Sequence, residues 1–369
     1  MKAMRSVGVF GIVVSVGLTL GACGSDPAAK KIEGTTAASG AECGGKSPLS
    51  AEGSSAQKPA VDVFVQQYAA KCSGQKVNYN PSGSGTGIKQ FNANQVDFAG
   101  SDSPLKDGEE ADKAKARCAS DAWNLPLVIG PVAVAYKVSG VDKLTLTPEV
   151  TAKIFNGGIT KWNDPAIKAV KGNEAVNLPD KPIQVISRSE DSGTTDNFQK
   201  YLKAASKGAW TQGDGKKFAG GVGNGAEKSN GVASAVKATD GAITYVESAF
   251  AKDGINAALI DSGSGGVELT AANVAKALDA AKFKKEGTND LALDLNAIYS
   301  SNVAGTYPII LATYEIVCSK YADAEVAKAV KAFLNVAATD GQKPLSDKGY
   351  VPIPQSLQDK VLTAVKAIA

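Results

Sequence analysis

Apolar positions fall into two periods that alternate along the chain. Between Pro59 and Cys72, Val61, Phe64, Val65, Tyr68 and Ala69 recur at i, i+3, i+4, i+7 and i+8, the stripe of an amphipathic helix. Pro59 suits its first turn, where no intrahelical N–H bond is lost. Lys76–Asn80 reads as a short strand, Gly87–Asn94 as a short helix and Val96–Ala99 as another strand. Leu125–Tyr136 is a long apolar run broken only by Gly130-Pro131, which predicts a strand. Ile183–Ser187 predicts a further strand, followed by a helix with Phe198, Tyr201, Leu202 and Ala205 on one face. Ile309–Val317 is a strand, and Ala324–Ala337 and Gln355–Ile368 are amphipathic helices. Strands alternating with helices predict an α/β fold with largely parallel sheets.

The N-terminal stretch has neither period. Lys2 and Arg5 precede an apolar run from Val7 to Leu20 that ends in Leu20-Gly21-Ala22-Cys23. The run is short for a membrane span, which needs about 20 apolar residues, and reads as a secretion signal over residues 1–22. A small residue before Cys23 suits a lipoprotein signal peptidase, so Cys23 is the expected lipidation site and the mature chain is expected to be lipid-anchored on the extracytoplasmic face of the cell membrane. More than one acyl chain would hold it firmly. Residues 23–46 are rich in Ala, Gly, Ser and Thr, too poor in apolar side chains to fold, and read as a flexible tether. The rest, about 320 residues, exceeds one typical core and predicts two lobes.

Composition narrows the chemistry. The formal charge of +3 falls to +1 once Lys2 and Arg5 leave with the signal, and with no basic block nucleic acid is not an expected partner. The chain contains no histidine. That removes the commonest general base and the commonest metal ligand, and with no Cys-x-x-Cys spacing neither a metal nor a cofactor is expected. Apart from Cys23, four cysteines remain, Cys43, Cys72, Cys118 and Cys318. An even number in an exported chain predicts two disulfides, with three pairings open.

Three segments share one plan, a strand running into a Ser/Thr/Gly loop and then a helix. They are Glu52–Ala56, Pro81–Gly87 and Arg188–Thr194. A helix N-terminus offers unpaired N–H groups and a partial positive charge. Glycine lets backbone approach a ligand, and hydroxyls add donors, so each loop is a candidate anion site. Serine and threonine are also good caps for any helix, but three such loops, one with Arg188 at its strand end, favour a ligand. Neither the Walker nor the dinucleotide fingerprint fits the glycine-rich loop, since Ile88-Lys89 stands where the Walker motif requires Gly-Lys. A fourth segment, Val96–Leu105, runs a strand into Asp102. A carboxylate there repels an anion unless a proton lies between them, which phosphate can supply and sulfate cannot.

These stretches, in order, resemble the PstS-type phosphate-binding receptors of phosphate ABC importers. The similarity runs from about Ser47 to the C-terminus, through Lys76–Tyr79 with the Ser82–Gly87 loop, Val96–Leu105, Thr160–Ile167, Arg188–Thr194, Gly241–Glu247 and Tyr307–Ile309. It implies the two-lobe periplasmic-binding-protein fold of type II, with the ligand in the interlobe cleft and two chain crossings. Lobe I would comprise residues 47–129 and 306–369, lobe II residues 133–302, with hinges near Gly130-Pro131 and Gly305-Thr306. Position by position, it implies phosphate contacts at Ser55, Ala56 (backbone N–H), Ser84, Asp102, Arg188, Ser192, Gly193 and Thr194. It implies inorganic phosphate and a membrane permease as partners, a monomer, and no catalytic residue. On those lobe boundaries the expected disulfides are Cys43–Cys72 and Cys118–Cys318. Two departures matter: Ala56 replaces an aromatic, and Glu190-Asp191 replaces Asp-Gly. A receptor for another oxyanion such as sulfate or molybdate, a phosphatase, and an adhesin with a vestigial cleft are the competing readings.

Overall fold

The computed structural model describes residues 42–278 and 281–369. The expected signal 1–22, the lipidation site Cys23 and the tether as far as residue 41 lie outside the described residues. The end of the expected tether belongs to the folded body. Cys43 is bonded to Cys72, the Lys46 amide donates to Glu325 O at 2.9 Å, and the Lys46 ammonium pairs with Asp97 at 2.8 Å. The body therefore begins at Cys43 rather than at residue 47.

The first elements follow the predicted order: β1 (Leu49–Gly53), α1 (Lys58–Lys71), β2 (Val77–Asn80), α2 (Ser84–Asn92), β3 (Phe98–Ser101), α3 (Glu109–Cys118) and β4 (Ala122–Lys137). The stripe of α1 buries Val61, Phe64 and Tyr68, and Tyr68 meets Phe333 edge-on at 5.5 Å. Each such side chain contributes about 1.5–3 kcal/mol by leaving water. The helix α2 starts three residues earlier than its apolar pattern suggests, because Ser84–Gly87 is already helical.

The main sheet has the order β2, β1, β3, Ile310–Cys318, β4, Ala242–Glu247, Gln184–Arg188, Asn224–Ala226, with Asn256–Ala257 also paired to β4. Its outer pairs are parallel, as expected. Its centre is antiparallel, contrary to the expectation of a largely parallel sheet. The cause is connectivity: β4 carries the chain out of the first half-sheet and Ile310–Cys318 brings it back, so the two run in opposite directions. From Ala122 to Pro131, β4 pairs with Ile310–Cys318; from Val132 to Lys137 it pairs with Ala242–Glu247. One strand thus serves both half-sheets, and Gly130-Pro131 sits at the exchange.

Chain segment and half-sheet do not coincide everywhere. Lys282–Phe283 and Leu293–Asp294 form a small antiparallel pair within the stretch 133–302 expected in lobe II. Yet Leu291 N–H donates to Asn124 O at 3.0 Å and Leu293 N–H to Tyr314 OH at 3.1 Å, both in the first half-sheet. The disulfides are Cys43–Cys72 and Cys118–Cys318, the expected pairing.

Candidate functional site

Four helix N-termini converge between the half-sheets. Two belong to α1 and α2; two belong to Gly193–Ala205 and Lys228–Ala238. Each brings N–H groups without intrahelical acceptors and about half a positive charge. The three sequence-predicted loops all arrive here and touch directly. Gly85 N–H donates to Asp191 O at 3.0 Å. A Cβ on Gly85 would lie 2.3 Å from Asp191 Cβ, and one on Gly193 would lie 2.6 Å from Ser84 Oγ and 2.7 Å from Asp102 Cβ. Both glycines are therefore required by the close approach.

Arg188 ends its strand with only 4% of its surface exposed. Its Nε donates to Glu190 Oε1 at 2.9 Å, and its Nη2 pairs with the same oxygen. The outer edge points across the site: Nη2 donates to Ser55 Oγ at 3.0 Å and Nη1 reaches Ser229 Oγ at 3.4 Å. Glu190 therefore aims the guanidinium. Asp191 turns away and pairs with Lys89 at 2.9 Å, so its charge is not directed at the site.

Asp102 is 2% exposed and surrounded by hydroxyls. Its Oδ1 accepts from Ser54 at 2.5 Å and Thr313 at 2.9 Å. Its Oδ2 accepts from Thr194 at 3.2 Å and Ser84 at 3.4 Å, both longer. One oxygen is held and the other faces the opposing loops. Burial pushes the carboxyl above its ordinary range, opposed by the Ser54 and Thr313 hydroxyls, the Arg188 charge and Thr194. Ser192 caps its helix, its Oγ accepting from Thr195 N–H at 3.3 Å. The Ala56 N–H, expected to face a ligand, donates to Ser54 Oγ at 3.1 Å.

Sequence reasoning missed Ser54, Ser229, Asn197 and Thr313. Ser229 N–H donates to Ser55 Oγ at 3.0 Å, and Lys228 N–H donates to Glu190 Oε1 at 3.0 Å. Asn197 Nδ2 donates to Asp102 O at 2.7 Å and Gly193 O at 2.8 Å. Thr313 left a signal: with Glu315 it is one of two polar side chains at i, i+2 in an otherwise apolar strand, hence on one face. Ser229 left only Lys-Ser-Asn-Gly after a weak strand. Beneath the site, Tyr245 OH accepts from Arg188 N–H at 3.2 Å, and its ring stacks on Phe198 at 4.5 Å. Trp162, in the Thr160–Ile167 stretch, is a buried strut whose Nε1 donates to Gly241 O at 3.0 Å.

Comparison with known proteins agrees with this arrangement. The profile of the PBP superfamily domain matches residues 26–340. The phosphate-binding protein PstS 3 of Mycobacterium leprae (strain TN) is 49% identical over 97% of each chain. That of Mycobacterium tuberculosis (strain ATCC 25618 / H37Rv) is 48% identical over 100% of each. The chain belongs to the PstS-type phosphate-binding proteins of this superfamily. Among solved structures, a high-affinity periplasmic phosphate-binding protein with bound phosphate shares the fold, with a TM-score of 0.68 at 24% identity, over 86% of this chain and 93% of that one.

Proposed function

We propose that this protein captures inorganic phosphate between two lobes outside the cytoplasm and delivers it to the permease of an ABC importer. The observation that carries the reading is that buried Arg188 and buried Asp102 are brought to one site among four helix N-termini. Arg188 offers a fork for two phosphate oxygens. Ser55, Ser84, Ser192, Gly193, Thr194 and Ser229 stand around it as hydroxyl or backbone donors, with Ala56 N–H competing for Ser54. Asp102 is the lone acceptor and takes the proton of monohydrogen phosphate in an O–H···O⁻ bond. Sulfate brings lone pairs to the same carboxylate, so a sulfate receptor gains nothing from it.

The lobe reading is residues 47–129 with 306–369 against 133–302, the 282–294 hairpin excepted, with hinges near Gly130-Pro131 and Gly305-Thr306. The ligand groups come from both sides, so phosphate favours the closed state. Lipidation at Cys23 would anchor the receptor, and residues up to 41 would tether it; a monomer is expected to suffice. Among the described residues no helix is long and apolar enough to cross a membrane. A receptor is preferred to an enzyme because the site hydroxyls surround a carboxylate as donors and the chain has no histidine to activate one.

Calorimetric titration of the delipidated protein with phosphate, arsenate and sulfate tests the proposal. Phosphate and arsenate should bind, with sulfate at least about a hundredfold weaker, about 2.7 kcal/mol. Binding of sulfate as tight as phosphate, or no binding of phosphate, would overturn it.

A further inference from the structure

Behind Asp102 lies a second buried carboxyl that the site description does not use. Glu315 is fully buried in the strand Ile310–Cys318, opposite Gly100 of β3 and Leu125 of β4. Neither of its oxygens has a hydrogen-bond partner, and the buried Gln57 Oε1 has none either. The Gln57 side chain lies beside Glu315. Gly100 makes the room, since a Cβ there would stand 1.9 Å from Gln57 Nε2 and 2.6 Å from Tyr79 OH.

The neighbouring bonds each have a fixed direction. Ser54 Oγ donates to Asp102 Oδ1 at 2.5 Å. Tyr79 OH donates to Ser54 O at 2.8 Å. Tyr79 has a single proton, so Gln57 must present its NH₂ to the phenol, and Nε2 is 3.0 Å from it. That leaves the carbonyl end of Gln57 without a donor. A buried carboxylate with no hydrogen-bond partner is costly, and one proton on Glu315 removes its charge.

We propose that Glu315 is kept as a neutral carboxylic acid behind the Gln57, Tyr79 and Ser54 bonds that lead towards Asp102, and that loss of this proton sets the alkaline limit of phosphate binding. Glu315 is a positioning residue: it touches no ligand but orients the Ser54–Ser55 turn and keeps a second negative charge from behind Asp102. Burial, and then the Asp102 charge, push its carboxyl up to about 8, although the Gln57 side chain lowers it. The titratable groups facing it are Asp102 from the end of β3 and Tyr79 from β2; the neighbours from α1 and β4, Gln57 and Leu125, do not titrate. Burial holds Tyr79 well above its ordinary value, so it keeps its proton while Glu315 titrates. Among the described residues no cation is paired with Glu315.

The inference rests on the phosphate reading, and its test separates the two. Phosphate affinity is measured by calorimetry from pH 7 to 9.5 for wild type and Glu315→Gln. Over the upper part of that range free phosphate stays a monoprotonated dianion. Wild-type affinity should fall about tenfold between pH 8 and 9.5, the slope expected when one proton must be taken up on binding, while Glu315→Gln should lose less than about twofold. Parallel profiles would overturn the proposal, whereas absence of phosphate binding at every pH would instead remove the function. Infrared difference spectra of the ligand-free protein between pH 7 and 9.5 give a reading independent of phosphate. Wild type should lose with rising pH one protonated-carboxyl band that the variant lacks at every pH, any band of the buried Glu247 being common to both. Should Glu315→Gln fail to fold, wild-type titrations at pH 8.5 in buffers of different ionisation enthalpy decide the matter: proton uptake on binding supports the proposal, and none overturns it.

Discussion

Arg188 divides its guanidinium between two tasks, and the division predicts how its variants behave. The Nε edge is spent on Glu190 and the outer edge faces Ser55 and Ser229. Arg188→Ala removes the fork and strands Glu190, so phosphate binding should weaken by about 2–5 kcal/mol. Arg188→Lys restores charge without the planar fork and should recover only part of it. Unchanged affinity in Arg188→Ala, read by calorimetry, would place the ligand elsewhere. Asp102 makes a second prediction. Asp102→Asn keeps the size but adds an N–H₂ donor, so rejection of sulfate should weaken more than binding of phosphate does. Competition titrations of wild type and variant give the ratio, and an unchanged ratio would mean that Asp102 only organises its hydroxyl neighbours.

At the scale of elements, the helix Lys228–Ala238 is the part of the site that the chain conceals. The loops before α1, α2 and Gly193–Ala205 carry Ser, Thr and Gly in runs, and their meeting was legible because anion sites reuse that chemistry. The strand before Lys228 spans only Asn224–Ala226, and its helix has no side-chain cap, so neither period nor cap announces it. Asp102 was legible as a carboxylate at a strand end, but its Thr313 partner lies 211 residues away, a distance only the fold can close. The central antiparallel pairing escaped for the same reason, since apolar runs show burial and not direction. Ser229→Ala tests the fourth helix: it should weaken phosphate binding by about 1–3 kcal/mol, the loss of a neutral buried donor. The Cys118–Cys318 bond joins the end of α3 to the end of a strand 200 residues on. Its removal by a double serine substitution should cost about 2–4 kcal/mol, seen as a lower midpoint of thermal unfolding with the ligand site retained.

The whole molecule carries its buried acids as a pH dependence. Burial raises Glu247 well above its ordinary value, opposed by donors from Ser248 and Ala249, and burial raises Glu315 to about 8. A carboxyl with a raised folded value holds its proton more tightly in the native state. Its contribution is therefore full below the unfolded value and is lost as pH rises through the folded one. Exposed carboxylates lowered by lysines, such as Asp240 beside Lys181, act oppositely and only in stronger acid. Ligand-free protein should thus unfold at the highest temperature on the acid side of neutrality and lose stability between about pH 5 and 9. Glu315→Gln should flatten that decline; a profile rising steadily to pH 9 would contradict it.

Because β4 belongs to both half-sheets, opening cannot proceed as one plate sliding over another. Nine ladder partners hold its first part to Ile310–Cys318 and six hold its second to Ala242–Glu247, and a slip of one residue would turn every side chain to the wrong face. In the proposed closure the joint would act as a flexure, a continuous leaf that bends where its support changes hands, rather than as a pin with play in it. A flexure returns to the same register on each cycle, so the proposed opening and closing would bring Arg188 back to Ser55 without a search for it. Amides on both sides of Gly130-Pro131 should accordingly stay protected from hydrogen exchange with and without phosphate, while those of the Ser84–Gly87 and Gly193–Thr195 turns slow only when the ligand is bound.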